Sequence, residues 1–219
     1  FVHSGYNEYD SNGKYAVKKE MDYATGCALF FKREVVEAIG LFDPDFFLVF
    51  EETDWCWRAK KAGFRCLFVP DAKLWHKVSA SFTGNLSPLY AYFYTRNKLL
   101  WAMRNLPKKE RLQVYLRSAY VTFFPHTSKY EGNYRLSLKL LWDFSYNIKA
   151  FSHPQLLARL IGLKDFMLKR FGKCPQSVYK LQREFKEQLL SLRANEVSEA
   201  IPTKIASSPS APRNDRALS

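Results

Sequence analysis

Three carboxylates, Glu51, Glu52 and Asp54, fall within four positions of the string Phe-Glu-Glu-Thr-Asp-Trp-Cys-Trp-Arg at residues 50–58. Carboxylates this crowded repel one another, so they hold a cation, manage protons or complement a helix N-terminus. If a helix starts here, Glu51 and Asp54 are three apart and share a face, while Glu52 is turned about 100° away. The helix N-terminus favours the ionised form and crowding opposes it. A partly desolvated carboxylate in that balance can accept the proton of an attacking alcohol. By spacing alone, plain complementation of the helix dipole explains the cluster more simply than catalysis does. The same holds for His76, which follows Trp75: a histidine is a ligand only in the right company.

The surrounding pattern supplies elements to position these groups. Residues 1–20 are polar and read as loop, and Cys27–Phe31 is an apolar run suited to a buried strand. Arg33–Ile39 has helical spacing and a stop at Gly40. An aromatic loop, Phe-Asp-Pro-Asp-Phe-Phe within residues 41–50, delivers the chain to the carboxylates. A helix is predicted over about 51–62, with acids in its first turn, Lys60 and Lys61 in its last, and Gly63 as the stop. Phe64–Val69 is a strand candidate closed by Pro70. From Leu89 the pattern turns helical, with breaks at Pro107, Pro125, Gly132 and Pro154, and 176–194 reads as a last amphipathic helix. The Pro/Ser/Ala-rich tail lacks the apolar content to fold.

The charge is uneven. Residues 1–95 hold 11 basic and 12 acidic groups, whereas residues 96–193 hold 20 and 6, so the net +13 belongs to the second half. Tyr90, Tyr92, Phe93, Tyr94, Trp101, Tyr115 and Tyr120 interleave there with Arg96, Lys98, Arg104, Lys108, Lys109, Arg111 and Arg117. Basic faces with aromatic belts suit an anionic membrane surface, and each basic group near such a leaflet contributes on the order of 1 kcal/mol. The same residue types contact nucleic acid, but no zinc-finger, helix-turn-helix or RNP-like signature accompanies them, which disfavours a nucleic-acid partner. No run reaches the roughly 18 apolar residues that span a bilayer. Cys27, Cys56, Cys66 and Cys174 have neither C-x-x-C pairing nor metal-type spacing, which favours reduced thiols in a cytosolic compartment.

Six motifs in order change the weight of the carboxylate cluster. Asp22-Tyr-Ala-Thr-Gly-Cys-Ala-Leu-Phe-Phe-Lys-Arg-Glu is followed by Gly40-Leu-Phe-Asp-Pro-Asp-Phe-Phe and by Glu51-Glu-Thr-Asp-Trp-Cys-Trp-Arg. Ala62-Gly-Phe-Arg with Val69-Pro-Asp-Ala, Leu74-Trp-His-Lys and Tyr94-Thr-Arg-Asn complete the series. Together they resemble the acceptor half of family 2 glycosyltransferases of the rhamnosyltransferase-like branch, strongly over about residues 22–97. A weaker echo follows at Arg159-Leu-Ile-Gly-Leu-Lys-Asp and Arg170-Phe-Gly-Lys.

The resemblance implies an α/β fold: the C-terminal part of a GT-A (Rossmann-like) glycosyltransferase domain, followed by a basic, aromatic α-helical region. It implies inverting transfer from a nucleotide-sugar donor, dTDP-rhamnose or a UDP-sugar, to a lipid-linked saccharide or polysaccharide acceptor. By the same resemblance Glu52 is the base, with Glu51 as the competing assignment because Glu stands where many relatives have Asp. Asp54 supports the helix start or binds acceptor, and Thr25, Gly26, Trp75 and Arg96 line the substrate cleft. His76 holds Mg²⁺ or Mn²⁺ together with an Asp-x-Asp motif expected upstream of Phe1, since hard cations suit carboxylates and diphosphate oxygens. Asp43-Pro-Asp45 has the Asp-x-Asp spacing but stands in the wrong place for that motif.

The resulting organisation is an acceptor-side catalytic half at 1–95, a helical membrane-peripheral region at 96–194 and an unstructured tail at 195–219. The sequence opens at Phe1 without an initiator Met and reads as a piece of a longer enzyme, located at the cytoplasmic face of the plasma membrane and inactive by itself.

Overall fold

Residues 13–74, 87–123 and 153–200 are described by the computed structural model, with side chains as far as residue 192. Strand β1 (Lys19–Met21) pairs antiparallel with β2 (Cys66–Phe68), placing Glu20 opposite Leu67. Between them come one 3-10 turn (Gly26–Ala28), helix α1 (Arg33–Ile39) and helix α2 (Glu51–Lys61). The helical part comprises α3 (Pro88–Asn105), α4 (Lys108–Phe123), α5 (Pro154–Met167) and α6 (Gln176–Ala200).

Local chemistry accounts for most of these boundaries. Gly40 ends α1 at φ 76°, and its N–H donates to the Val36 carbonyl at 2.8 Å. That left-handed conformation is cheap only for glycine. Gly63 follows α2 at φ 89°. Ser87 caps α3 by accepting from the Tyr90 N–H at 3.2 Å, and Pro88 occupies the first turn, where its missing N–H costs nothing. Pro107 immediately precedes α4, and Pro154 opens α5 in the same way as Pro88 opens α3.

Four expectations need correction. Cys27–Phe31 is not a buried strand: the chain makes a 3-10 turn there, Cys27 is exposed and Phe30 is 98% exposed. Five apolar residues in a row cannot distinguish a strand from a surface loop. The polar segment read as loop to residue 20 carries β1 at its end. The described residues hold one antiparallel pair of three-residue strands. The last helix runs past residue 194 to Ala200, while 201–219 lie outside the described residues. The division expected near residue 95 falls inside α3, which is continuous from 88 to 105.

Helix α3 is the central strut. It buries Ala91, Tyr92, Phe93, Thr95, Arg96, Asn97, Leu99, Leu100, Trp101 and Ala102, so it is covered on nearly every side. One side meets Ala158 of α5 with Val178 of α6, and another meets Phe46 of the aromatic loop. A separate cluster of Val35, Trp55, Cys56 and Ala59 binds α1 to α2. Trp55 lies within it, donating its indole N–H to the Gly40 carbonyl at 2.9 Å. No helix among the described residues is long and apolar enough to cross a membrane.

Helices α3 and α5 approach each other closely at Gly162. A Cβ there would lie 2.8 Å from the Tyr92 carbonyl oxygen and 3.6 Å from Thr95 Cβ. Backbone cannot yield as a flexible side chain does. Gly162→Ala is therefore expected to destabilise the fold by about 1–3 kcal/mol in denaturant unfolding, despite alanine's better helix propensity. A change within about 0.5 kcal/mol would show that the two helices are not in backbone contact.

Candidate active site

The loop that feeds α2 is built under strain. Phe47, Val49 and Phe50 all have positive φ, at 58°, 66° and 77°, although none is glycine. Each such residue costs on the order of 1–2 kcal/mol, and the β-branched Val49 is an outlier for this region. The loop persists because α3 holds its carbonyls. Asn97 donates its side-chain amide to the carbonyls of Phe46, Leu48 and Val49 at 2.7, 2.8 and 2.7 Å. Arg96 adds bonds from Nη2 to the carbonyls of Asp45 and Phe46 at 3.1 and 3.3 Å.

Those two side chains are themselves fixed. Both are fully buried, and Arg96 Nε donates to Asn97 Oδ1 at 2.9 Å. Arg96 Nη1 donates to the Tyr92 hydroxyl at 3.1 Å, which in turn donates to Asp165 Oδ2 of α5 at 2.7 Å. Burial, then the bond to Asp165, pushes the Tyr92 phenol well up, so it stays a donor. The guanidinium is neutralised through this relay rather than by direct contact, as a buried charge requires. Arg96, expected to bind substrate, thus lies inside the fold and acts on the loop.

The clamped loop presents the acids of α2. Glu51 and Glu52 are half-buried, and their carboxyls hydrogen-bond to each other. Burial first, then the Glu52 charge, raises the Glu51 pKa from 4.5 to about 7. Oε2 of Glu51 and Oε2 of Glu52 are buried without a hydrogen-bond partner. Because Glu51 binds its proton more tightly when folded, this group makes stability fall as pH rises from about 4.5 to about 7.

Asp54 has a different task. Its side chain is 5% exposed and accepts from Arg58 Nε at 2.8 Å and from Asn105 Nδ2 at 3.3 Å. Arg58 also donates to the carbonyls of Ile39 and Leu41. Asp54 therefore ties α2 to α3 directly and to the end of α1 through Arg58.

Of the residues expected to line the cleft, the structure brings Gly26 to the pair: a Cβ on it would lie 4.0 Å from both Cβ and Cδ of Glu52. Thr25 is exposed beside it, its hydroxyl 3.2 Å from Cys27 Sγ. Tyr23, unremarked in the sequence, faces the same place: burial, then the Glu52 charge, raises its pKa. Trp75 and His76 lie outside the described residues. Asp43 and Asp45 are both engaged by Arg104, at 2.5 and 2.6 Å, which leaves that Asp-x-Asp spacing serving an ion pair. No group of three or more potential metal ligands occurs among the described residues.

Residues 14–103 match the family model described as glycosyltransferase like family 2. Over 102 residues the chain is 28% identical to dTDP-rhamnosyl transferase RfbF of Shigella flexneri, a stretch that covers 43% of this chain and 34% of the relative. The chain thus spans about a third of the length of the curated relative it matches. No solved structure matches. The ordered motifs and both matches agree in what the segment containing β1 to α3 is similar to: family 2 glycosyltransferases, a rhamnosyl transferase among them.

The clamp makes a measurable claim about stability. Asn97→Ala removes the side-chain donor from the Leu48 and Val49 carbonyls, leaving that of Phe46 to Arg96 and the Leu48 N–H, and is expected to cost on the order of 2–4 kcal/mol in denaturant unfolding. Tyr92→Phe, which keeps the ring and removes only the relay hydroxyl, is expected to cost about 1–3 kcal/mol. A near-neutral Asn97→Ala would mean that the loop holds its conformation without α3.

Proposed function

We propose that this chain is the acceptor-side part of an inverting glycosyltransferase in which the Glu51–Glu52 pair takes the proton of the acceptor hydroxyl. The observation that carries the reading is the pair itself: two half-buried carboxyls in mutual contact, each with an unpartnered Oε2, set at the end of a clamped loop beside Gly26. Crowded carboxylates that share a proton are poised to exchange one near neutral pH. Glu52 is the acceptor of the proton in this reading, on the family resemblance and on its position against Gly26. Glu51 acts as its gate. When protonated it donates to Glu52 and occupies that oxygen; when ionised, it leaves the pair avid for a proton.

The hydroxyl deprotonated in this way attacks the anomeric carbon of a nucleotide-sugar donor, and single displacement inverts that centre. A dTDP-sugar donor is favoured by the name of the Shigella relative, with a UDP-sugar as the alternative. A lipid-linked or polysaccharide acceptor and a position at the cytoplasmic membrane face accord with the basic excess of residues 96–193. A divalent cation, Mg²⁺ or Mn²⁺, belongs to the same proposal, with His76 and an upstream Asp-x-Asp as its ligands. Bound there, it would offset charge on the departing diphosphate. The described residues do not assemble that set, and no step is assigned to it.

In the intact enzyme, Glu52→Gln is expected to lower kcat by about 10²–10⁴-fold while donor affinity stays within a few-fold. Undiminished turnover by this variant would remove Glu52 from the reaction. The pH–rate profile should carry an acid limb near pH 7, set by Glu51. Rate rises as Glu51 loses its proton, and Glu51→Gln should eliminate that limb. A limb unchanged in Glu51→Gln would assign it to another group.

A further inference from the structure

Two cysteines from different elements face each other where α2 meets β2. The chain leaves α2 through Ala62 and Gly63, and the Phe64 N–H donates back to the Ala59 carbonyl at 3.0 Å. That bond sets the register of strand against helix. Cys56 stands three positions before Ala59, on the same helix face, and Cys66 two beyond Phe64, on the same strand face. Exposure alternates accordingly: Phe64, Cys66 and Phe68 are half-buried, while Arg65, Leu67 and Val69 are exposed. Cys56 is 3% exposed, in the cluster with Val35, Trp55 and Ala59, and both Phe64 and Cys66 pack against that cluster. Both are free thiols, aimed into one interface.

The contact makes one of them reactive. The two thiols hydrogen-bond to each other; the bond from Cys66 lowers the Cys56 pKa to about 7 against the effect of burial. The same bond, then burial, pushes the Cys66 thiol up. The Ala24 N–H also favours the Cys56 thiolate, while the Glu52 charge opposes it. A thiolate held against a neighbouring thiol is the arrangement from which disulfides form. Cys27 and Cys174 lack it: Cys27 lies beside the Thr25 hydroxyl, and buried Cys174 is engaged by Tyr179.

This pair adjoins the candidate active site. Cys56 is four residues after Glu52 on α2, one turn along the same face. Ala24, which donates to Cys56, stands two residues before Gly26, the glycine set against Glu52.

We propose that Cys56 and Cys66 are a reversible dithiol–disulfide pair, oxidised by a hydroperoxide, that regulates the neighbouring Glu51–Glu52 site. The Cys56 thiolate attacks hydrogen peroxide: an S–O bond forms, the O–O bond breaks, and the departing hydroxide becomes water with the proton Cys56 had lost. The Cys66 sulfur then attacks the Cys56 sulfenic acid. The S–S bond forms, the S–O bond breaks, and hydroxide leaves as a second water with the Cys66 proton. Two thiols thus lose two electrons and two protons, and the peroxide is reduced to two waters. The disulfide removes a thiolate charge near Glu52 and weakens the acceptor that holds Ala24. The regulatory role rests on the function proposed above; the disulfide rests on the packing of α2 against β2.

The test uses the whole chain carrying Cys27→Ser, which prevents cross-linking between chains and leaves three of the four cysteines. Stoichiometric hydrogen peroxide should lower its thiol count from three to one, and dithiothreitol should restore it. Peptide mapping should recover Cys56 linked to Cys66. Three persisting thiols, a bridge to Cys174, or irreversible oxidation of either cysteine overturns the pair. Carbon-13 NMR of the glutamate carboxyls reads the coupling: oxidation should shift the Glu52 signal, and Cys66→Ser should abolish that response. A Glu52 signal unmoved by the disulfide, or one that still moves in Cys66→Ser, overturns the regulation. Neither readout involves transfer, so a failed Glu52 base assignment leaves both results intact, and the reverse also holds.

Discussion

A single amide, that of Asn97, holds three carbonyls of a loop that would not keep its shape alone. Phe47, Val49 and Phe50 sit in left-handed backbone, with a combined cost of several kcal/mol. Asn97 and Arg96 offset that cost from inside α3. Release the clamp and the first turn of α2 loses its entry angle, and the Glu51–Glu52 contact with it. The unusual conformation lies immediately before the carboxylates, where a fold that merely needed a connection could have used glycine.

The clamp also links the two halves of the chain. Asp165 of α5, beyond the segment that matches the glycosyltransferase family, anchors Arg96 through the Tyr92 hydroxyl. Gly172 adds a direct bond, its N–H donating to the Asp45 carbonyl at 2.8 Å. The region after α3 is thus coupled to the site mechanically, whatever surface its outer face meets. Of the basic residues from 96 onward, Arg96 and Arg104 restrain the aromatic loop, whereas Lys98 lies over the Tyr94 ring and Arg159 donates to the Val121 carbonyl. A net charge computed from composition does not distinguish these uses.

The sequence was legible where local chemistry decides the outcome. Gly40, Gly63, Pro88 and the acids of α2 announce their helix boundaries because caps and φ preferences act within a few residues. It was illegible where partners are distant. Arg96 looked like a substrate ligand because an arginine in a motif gives no sign of whether its partners are solutes or carbonyls some 50 residues away. Asn97 stands in the same motif, and nothing local to it tells that its amide meets three carbonyls about 50 residues away. Helical spacing puts Glu51 and Asp54 on one face but does not tell their partners: Asp54 turns to Arg58 and Asn105, and Glu51 meets Glu52. Asp165 carried no local signal at all.

The central claim is that this architecture creates a carboxyl pair sharing a proton near neutrality. It can be tested without donor, acceptor or metal. Carbon-13 NMR of the chain labelled at glutamate carboxyls, assigned with Glu51→Gln and followed against pH, reads the titration directly. The account predicts that the Glu51 carboxyl titrates at about pH 7, raised by burial and by Glu52. A Glu51 midpoint near its ordinary 4.5 would contradict it, since the pair would then be open to water and the clamped loop would have no chemical consequence.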